Sequence, residues 1–582
     1  MPPRFDRAIT LVSQPLRLSL VALFGAAVFF GALPARGDDL ATLSRDFWSF
    51  RAGTQPVNRD DIPRLVRPAG WVPDVSPAAI EMRRTALAGF EARYRKLVDP
   101  AAPVARQVDY RLVGSALSRV RWELDFTRSY RRDPNFYLDQ TLGALVDALL
   151  PPPPFDAKRS AEIVGLISSF PKTLEDARKN LDQPVGPFAA LAIEDLKGIG
   201  LRLKNASDAL KPLLDGASAS RLDGEIPRAI VALNNYRLWL EVSLPSMTKQ
   251  SAVGREGYLF FLRNVALIPY SPEELLAMGR QERDRSVAFE VYEARRNQGQ
   301  PELPLFENQA EQIARAERDQ REIRTFLDEK GILTVPAWVK PYGYLAVPLY
   351  LEMLAGFGEW TDFTSPLRLA EPSSRYIPRP SPRLGYFALS MAKDPRPDMV
   401  HEGIPGHALQ LALSWKHDDE IRRHYYDSGV NEGIGFYVEE MMLRMGLWDG
   451  APRSRDMLTS YMRLRALRVE VDVRLALGTF TIDDAARYLE TNVPMDAATA
   501  KQEAAAFASI PGQAIGYQIG KLQIVKLLAE TKRQKGEAFD LRAFHDSLMR
   551  NGNVPLSLQR WEMLGMKDEV DALAAGPAGA AR

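Results

Sequence analysis

The sequence has no cysteine among its 582 residues. This absence excludes disulfides, cysteine nucleophiles, iron–sulfur clusters and cysteine-ligated zinc. No charge of one sign dominates either, because 75 Lys and Arg face 74 Asp and Glu for a net charge of +1. A nucleic-acid-binding protein would carry a clear basic excess, so that class is disfavoured. With 46% hydrophobic and 26% charged residues, the chain has the composition of an ordinary globular protein.

Histidine is also scarce, and its placement is uneven. There are five histidines, and all of them lie beyond residue 400: His401, His407, His417, His424 and His545. Imidazole and carboxylate are the strong zinc ligands that remain in a chain without cysteine. His417 and His424 lie in a strongly charged stretch and are predicted to be surface residues. The C-terminal part of the chain is therefore the place to look for metal chemistry.

Residues 1–37 have the layout of a secretory signal peptide. Three arginines lead into an uncharged, mostly apolar run over residues 18–33, and Ala35 and Gly37 supply small residues for cleavage. The run is shorter than the ~20 residues that span a bilayer, although a single membrane anchor is the alternative. We expect an exported protein that is free of the membrane after cleavage, and periplasmic if the host is Gram-negative.

Most of the remaining chain carries a helical pattern. Apolar residues three and four positions apart recur over long stretches, for example over 226–240 and 515–528. Ser76-Pro77 and Ser271-Pro272 each look like a Ser N-cap followed by Pro at the first helical position. These signals predict a mainly α protein.

Prolines and short alternating runs give the organisation of the chain. Residues 151–154 are consecutive prolines, which must separate two helices, and 371–383 form a second irregular, proline-rich zone. We expect strands over 343–347 and 384–389, as a small β element near the site. The predicted regions are an N-terminal helical region (38–300), a C-terminal catalytic region (301–575) and a disordered tail (576–582).

The segment from His401 to His407 reads His-Glu-Gly-Ile-Pro-Gly-His. A helix that binds zinc presents two histidines about one turn apart, and a Glu beside them can deprotonate a metal-bound water. Here the histidines are six positions apart, which on a straight helix is about 240° around the axis. Because Pro405 and Gly406 break or kink helices, we infer a bulged helix that returns His407 to the side of His401. The alternative is that Pro405-Gly406 ends a helix and the histidines are unrelated.

A catalytic zinc needs a third protein ligand. Glu432 lies on the next predicted helix, at the distance after His407 where helical zinc peptidases place a Glu ligand. Glu439 lies seven positions further on a similar face, so it is either a reserve ligand or a partner of a ligand histidine. A solvated helix face is the alternative for both, although apolar neighbours such as Phe436 make full exposure less favourable.

These motifs resemble the bacterial DUF885 family, a zincin-like group related to the M32 carboxypeptidases. The matching segments are 401–410, 432–439, 511–520, 539–546 and 552–556. The chain departs from the family pattern at Ala408, where the family often has a second His. It departs again at Arg474 and Ala476, which replace the Gly and His of an Asp-x-Gly-x-His pattern.

The resemblance implies a large helical zincin-like metallopeptidase body with a central cleft. It implies Zn²⁺ bound by His401, His407 and Glu432, with Glu402 as the general base. Tyr517 and His545 lie in matching motifs and are the implied catalytic residues that stabilise an oxyanion. The alternatives are a core tyrosine for Tyr517 and a structural pairing with Asp546 for His545.

The expected function is that of an exported zinc-dependent metallopeptidase, a carboxypeptidase or oligopeptidase that acts on short peptides with metal-activated water. A carboxypeptidase also needs a cation for the terminal carboxylate of the substrate, and arginine binds carboxylate with two hydrogen bonds. Three arginines on one predicted helix are the candidates: Arg465, Arg468 and Arg474. The alternatives are a metal-dependent esterase or amidase, and a metal-free binding protein that retains the fold. A serine hydrolase lacks support because the chain has no Gly-x-Ser-x-Gly elbow.

Overall fold

A computed structural model of the chain describes residues 39–58 and 65–574. The predicted signal peptide and the predicted C-terminal tail lie outside the described residues. The fold is mainly α, as predicted, and helical segments make up most of the described chain. Residues from Asp39 onward form one compact unit, which contains both the predicted N-terminal and the predicted C-terminal region. Within the described ranges, no helix is long and apolar enough to cross a membrane.

The first half of the chain is a succession of helices, several of which begin with a side-chain N-cap. The Ser76 side chain accepts a hydrogen bond from the Ala79 backbone at 3.2 Å, and Ser271 forms a capping box with Glu274, so both predicted helix starts are confirmed. The proline run separates α6 from α7, as predicted. The helices are α1 Leu40–Thr54, α2 Pro77–Leu97, α3 Val104–Arg121, α4 Ser129–Arg132, α5 Pro134–Leu138, α6 Ala144–Leu149, α7 Ala157–Asn180, α8 Gly186–Asp195, α9 Ile199–Leu210, α10 Gly216–Ser243, α11 Gly254–Phe260 and α12 Pro272–Arg296.

The second half contains the histidine cluster and is also helical. Its helices are α13 Gln309–Glu329, α14 Leu349–Glu352, α15 Tyr386–Met391, α16 Arg396–Asp398, α17 His407–Trp415, α18 Glu420–His424, α19 Ser428–Met445, α20 Pro452–Leu477, α21 Ile482–Asn492, α22 Ala497–Ser509, α23 Ile515–Lys535, α24 Leu541–Arg550, α25 Leu556–Leu564 and α26 Asp568–Ala574. Single π-helical turns occur at Trp122–Thr127, Asp139–Gly143, Phe261–Val265 and Met399–Gly403.

A small sheet of three strands lies before the histidine cluster in the described chain: β1 Gly343–Ala346, β2 Thr361–Asp362 and β3 Ser374–Ile377. The order is β1-β3-β2, with β1 parallel to β3 and β2 antiparallel to it. The prediction of β1 is confirmed.

The predicted strand over 384–389 is wrong, because this segment leads into α15. Short apolar runs do not distinguish a strand from a helix, and the Asp496 carboxylate accepts a hydrogen bond from the Tyr386 backbone N–H at the helix start, at 3.0 Å. The strand lies instead at β3, inside the proline-rich zone. Pro372 and Pro378 flank it, and prolines at those positions end the pairing without interrupting it.

Glycines bring α19 and α23 into close contact. A Cβ on Gly433 would lie 2.7 Å from the Gly520 Cα, and a Cβ on Gly520 would lie 2.2 Å from the Gly429 carbonyl oxygen. No side chain fits between the two backbones at these positions. The two helices therefore hold Glu432 of α19 and Tyr517 of α23 near each other.

Candidate metal centre

The two histidines of the His401–His407 segment lie on different helical segments. His401 and Glu402 belong to the π-helical turn Met399–Gly403, the chain then becomes extended at Ile404, and α17 starts at His407. The Ile404–Pro405 peptide bond is cis. The predicted continuous, bulged helix is therefore wrong, because the helix ends and a new one begins.

The two histidines nevertheless converge. Their ring centroids are 4.6 Å apart, with an interplanar angle of 77°. Gly406 makes this return possible, since a Cβ there would lie 1.8 Å from the His401 carbonyl oxygen. Only glycine allows the backbone to pass so close to His401. The alternative in which the two histidines are unrelated is excluded.

Glu432 completes a group of three side chains whose atoms could ligate one metal ion. Its Oε2 atom lies 3.4 Å from Nε2 of His401 and 3.4 Å from Nε2 of His407. Bonds of about 2.0–2.1 Å in a tetrahedral zinc site put neighbouring ligand atoms roughly 3.3 Å apart, so the spacing fits a zinc ion. Glu432 Oε2 is buried and has no hydrogen-bond partner in the described chain, which also fits a metal ligand.

Gly435, one helical turn after Glu432 on α19, lies against both imidazoles. A Cβ on Gly435 would lie 2.7 Å from Cε1 of His407 and 2.8 Å from Cε1 of His401. These distances are well below the ordinary carbon–carbon contact of about 3.5–4.0 Å. Both imidazoles therefore fit only because residue 435 is glycine and has no side chain.

Glu439 orients His401 from the side away from Glu432. Its Oε1 atom lies 2.6 Å from His401 Nδ1 and accepts a hydrogen bond from Arg465 at 2.9 Å. This carboxylate would hold a proton on Nδ1, so Nε2, which faces Glu432, is the ring nitrogen that a metal would use. Of the two predicted roles of Glu439, this geometry corresponds to the partner of a ligand histidine.

The electrostatics of the three residues favour a cation at this point. Burial disfavours a charged imidazole, but the Glu432 and Glu439 carboxylates outweigh it and raise the pKa of His401 to about 10. Burial likewise opposes an ionised Glu432, yet the two imidazoles lower the pKa of that carboxyl well below its usual range. The carboxylates stabilise positive charge at this point, and either a proton on the imidazole or a bound metal ion can supply that charge.

Glu402, the residue after His401, pairs with an arginine that the sequence did not point to. Arg375, from β3, has Nη1 3.2 Å from Glu402 Oε1 and 3.1 Å from Asp398 Oδ1. The Tyr344 hydroxyl donates a hydrogen bond to Asp398 at 2.8 Å. Burial opposes the charge of Arg375, but Asp398 and Glu402 outweigh it and raise its pKa well above the usual range. The sequence could have pointed to Arg375 only if the residues between Pro372 and Pro378 had been predicted as a strand next to the site.

Tyr517 lies near His401, one of the candidate ligands. Its ring is nearly parallel to the His401 imidazole, with centroids 6.1 Å apart and an angle of 17°. The Arg468 guanidinium lies over the Tyr517 ring, 4.5 Å from the ring centroid. Burial and the nearby Glu432 carboxylate raise the pKa of Tyr517 well above its usual value, so the phenol keeps its proton and can donate a hydrogen bond.

The comparison with known protein families agrees with these motifs. The family described as "Bacterial protein of unknown function (DUF885)" matches residues 64–330 and 373–563. The chain belongs to the DUF885 family. The matched residues include all five segments on which the resemblance rested, from 401–410 to 552–556.

Solved structures with the same fold are also known. A protein from Shewanella oneidensis, described as "a putative lipoprotein of unknown function", aligns with 91% of this chain and 100% of its own, with a TM-score of 0.68 and 18% identity. A "putative lipoprotein" from Colwellia psychrerythraea aligns with 92% of this chain and 99% of its own, with a TM-score of 0.69 and 16% identity. At these identities the likeness shows the fold alone. No curated protein matches the chain.

His545, in another DUF885 motif, has both ring nitrogens engaged in the core. Nδ1 faces the Ile332 carbonyl oxygen at 2.8 Å, and Nε2 faces the Tyr437 hydroxyl at 2.7 Å. Asp546 does not pair with it, since that carboxylate accepts a hydrogen bond from the Thr334 backbone. Burial lowers the pKa of His545, which suits a neutral ring between one acceptor and one donor. Its catalytic role stays a prediction that these contacts do not support.

The three predicted arginines all lie on α20, but only two are near the candidate ligands. Arg468 is bound by both oxygens of Glu503 at 2.7 and 2.8 Å. Arg474 pairs instead with Glu470 near the end of α20. Arg465 uses one nitrogen for Glu439, while its Nε and Nη1 are buried without a hydrogen-bond partner among the described residues.

The departures from the DUF885 pattern are outside the donor triad. Ala476 is buried in an apolar cluster with Val469 and Val473. Asp472, which the chain retains, accepts hydrogen bonds from the backbone N–H groups of Gly512 and Ala514 at 3.0 and 2.9 Å. This contact, which the sequence analysis also missed, fixes the loop that leads into α23.

Proposed function

We propose that the protein is a zinc-dependent hydrolase that cleaves short peptides. The observation that carries this proposal is the convergence of His401, His407 and Glu432, whose candidate ligand atoms lie within 4.8 Å of one another, with both imidazole Nε2 atoms 3.4 Å from Glu432 Oε2. Glu402 follows His401 directly in the chain. Nitrogen and oxygen donors of this kind suit zinc. A scaffold that binds no metal would gain nothing from three buried donors with so few hydrogen bonds of their own.

When bound, zinc lowers the pKa of a coordinated water and polarises the carbonyl of the substrate. The residues of the chain would do the rest. Glu402 would accept the proton of the attacking water and return it to the leaving amine. Arg375 holds the Glu402 carboxylate in place, and the Tyr517 hydroxyl would donate a hydrogen bond to the oxygen on which negative charge develops.

The same proposal includes export. The leader over residues 1–37 has the layout of a signal peptide, and both structural neighbours carry the label of lipoprotein. We infer that the protein works outside the cytoplasm, in the periplasm of a Gram-negative host. Short peptides would be its substrates there.

The test compares the wild-type protein with the variant Glu402→Gln. We expect one zinc per chain by elemental analysis in both proteins, and hydrolysis of a peptide library, followed by mass spectrometry, in the wild type alone. Glu402→Gln keeps the shape of the side chain and removes its basicity, so its activity should fall by about 10²-fold or more. Equal activity of the two proteins would overturn the mechanism.

Two further outcomes would change the assignment. Hydrolysis of aryl esters or non-peptide amides without peptide cleavage would identify an esterase or amidase. Absence of stoichiometric zinc after growth and purification with added zinc would favour a binding protein.

A further inference from the structure

A cavity outside the donor triad contains an unusual arginine. The cavity has about 940 Å³ including its open mouth, and its walls come from the N-terminal helices and from the segment 509–511. Four aromatic rings contribute to these walls: Trp122, Tyr130, Phe136 and Phe261. Aromatic walls combined with a few polar side chains are typical of a small-ligand site.

Arg83 on α2 lines this cavity and has no carboxylate partner among residues 39–58 and 65–574. Its side chain is buried, with 4% of the residue exposed, and its hydrogen bonds go to the backbone carbonyls of Ala79 and Asp74 at 3.3 and 3.5 Å. Burial lowers its pKa to about 10, because the more distant Glu123 does not compensate for the lost solvation. A buried guanidinium held by two long hydrogen bonds gains strongly from an anion at hydrogen-bond distance.

Three carboxylates line the cavity, and each has a partner of its own. Glu123 receives two hydrogen bonds from Arg51, at 2.7 and 3.0 Å. Asp133 and Asp139 also lie in the wall and also have interaction partners. Within the described ranges none of the three bonds to Arg83, so an anionic group of a ligand is the partner that Arg83 could gain.

One short segment connects a wall of the cavity to the candidate metal centre. Pro511 lines the cavity, and Gln513 donates a hydrogen bond to Glu432 Oε1 at 3.3 Å. Two residues of extended chain span no more than about 7 Å. Gly512, between them, packs so tightly that a Cβ would lie 2.1 Å from the Phe261 ring, so the wall and the ligand Glu432 are held together.

We propose that this cavity binds a carboxylate-bearing portion of the substrate, with Arg83 as the residue that receives the carboxylate and the aromatic rings as the walls for its apolar part. This inference rests on the proposed function, because it treats the cavity as part of the peptide-binding site. Arg465 is the rival for the carboxylate, but it does not line the cavity and its free nitrogens are buried in the core.

The experiment measures binding to the zinc-loaded Glu402→Gln protein, which should not turn the peptide over. The probes are an N-acetylated tripeptide ending in phenylalanine with a free terminal carboxylate, and the same peptide with a terminal amide. We expect the carboxylate form to bind at least about ten-fold more tightly, as for a charge-assisted hydrogen bond. No preference in this parent protein would overturn the proposal without any further variant.

Two variants then locate the carboxylate. Arg83→Met should bring the ratio of the two affinities close to one, whereas Arg84→Met, a control at an adjacent residue that pairs with Asp125, should keep it. An unchanged ratio in Arg83→Met, or loss of the ratio in Arg465→Met alone, would overturn the proposal. Failure of the proposed function shows up separately, as absence of hydrolysis by the wild type with the preference for the carboxylate peptide intact.

Discussion

A single methyl group at position 435 should disable the metal centre. The Cβ introduced by Gly435→Ala would lie 2.7 to 2.9 Å from three atoms of the His401 and His407 rings. Ordinary contact needs about 3.5–4.0 Å, so each of the two imidazoles must retreat by roughly 0.7 Å or more. Zinc–ligand distances tolerate only about 0.2 Å. The two rings cannot make that adjustment and keep both nitrogens on one ion.

The effect on stability should be much smaller than the effect on zinc. Overpacking costs about 1–3 kcal/mol, and replacing a mid-helix glycine by alanine returns about 0.5–1 kcal/mol. The free energy of unfolding of the metal-free protein should therefore fall by roughly 0 to 2.5 kcal/mol. The affinity for zinc should fall by about 100-fold or more, at the upper end of what changes around a metal site produce.

The measurement is a zinc titration in competition with a chelator of known affinity, alongside thermal unfolding of the metal-free protein. Gly165→Ala is the matched control, since Gly165 lies inside α7 and a Cβ there has no neighbour within 4 Å. That variant should bind zinc like the wild type and gain about 0.5–1 kcal/mol. Zinc affinity in Gly435→Ala equal to that of the wild type would mean that the ion does not lie between His401 and His407.

Three further predictions concern residues around the triad. Glu439→Gln, which weakens the contact to His401 Nδ1, should lower zinc affinity about 10–100-fold; in the same competition titration, an unchanged affinity would contradict the orienting role. Arg375→Met should lower kcat about ten-fold or more with zinc content unchanged, because Glu402 loses the partner at 3.2 Å that positions it, while Arg379→Met on the exposed side of the same segment should have no effect on either. Tyr517→Phe should lower kcat by about 10²-fold, as for loss of one oxyanion donor, without a change in melting temperature; a fall in stability with full activity would make Tyr517 a core residue.

The sequence pointed to the three candidate metal ligands more clearly than to the backbone that brings them together. Cysteine is absent and histidine is confined to one part of the chain, so His401, His407 and Glu432 could be chosen from residue type and spacing. The way in which the two histidines meet could not be predicted. The same sequence is compatible with a helix that is interrupted at Ile404 and with one that is bulged at Pro405. The close passage of Gly406 past the His401 carbonyl is a contact that no periodicity encodes.

The surroundings of the site depend on contacts between distant segments. Arg375 comes from a strand of four residues inside a proline-rich zone, and its pairing with Glu402 is set by the fold of the small sheet. Capped helices such as α2 and α12 were predictable because their signals are local. Strands as short as β3 draw their stability from neighbours that lie far away in sequence.

Gly435 shows why the candidate metal motif extends beyond its three proposed ligands. Glu432 and Gly435 are three positions apart, so they lie on the same face of α19. That face must supply a carboxylate to the two imidazoles and also leave room for their rings. A chain with His401, His407 and Glu432 but a larger residue at 435 would keep all three donors in its sequence and could not bring them together. The glycine is therefore as diagnostic of a working centre as the ligands are, and Gly435→Ala tests the centre without altering any donor atom.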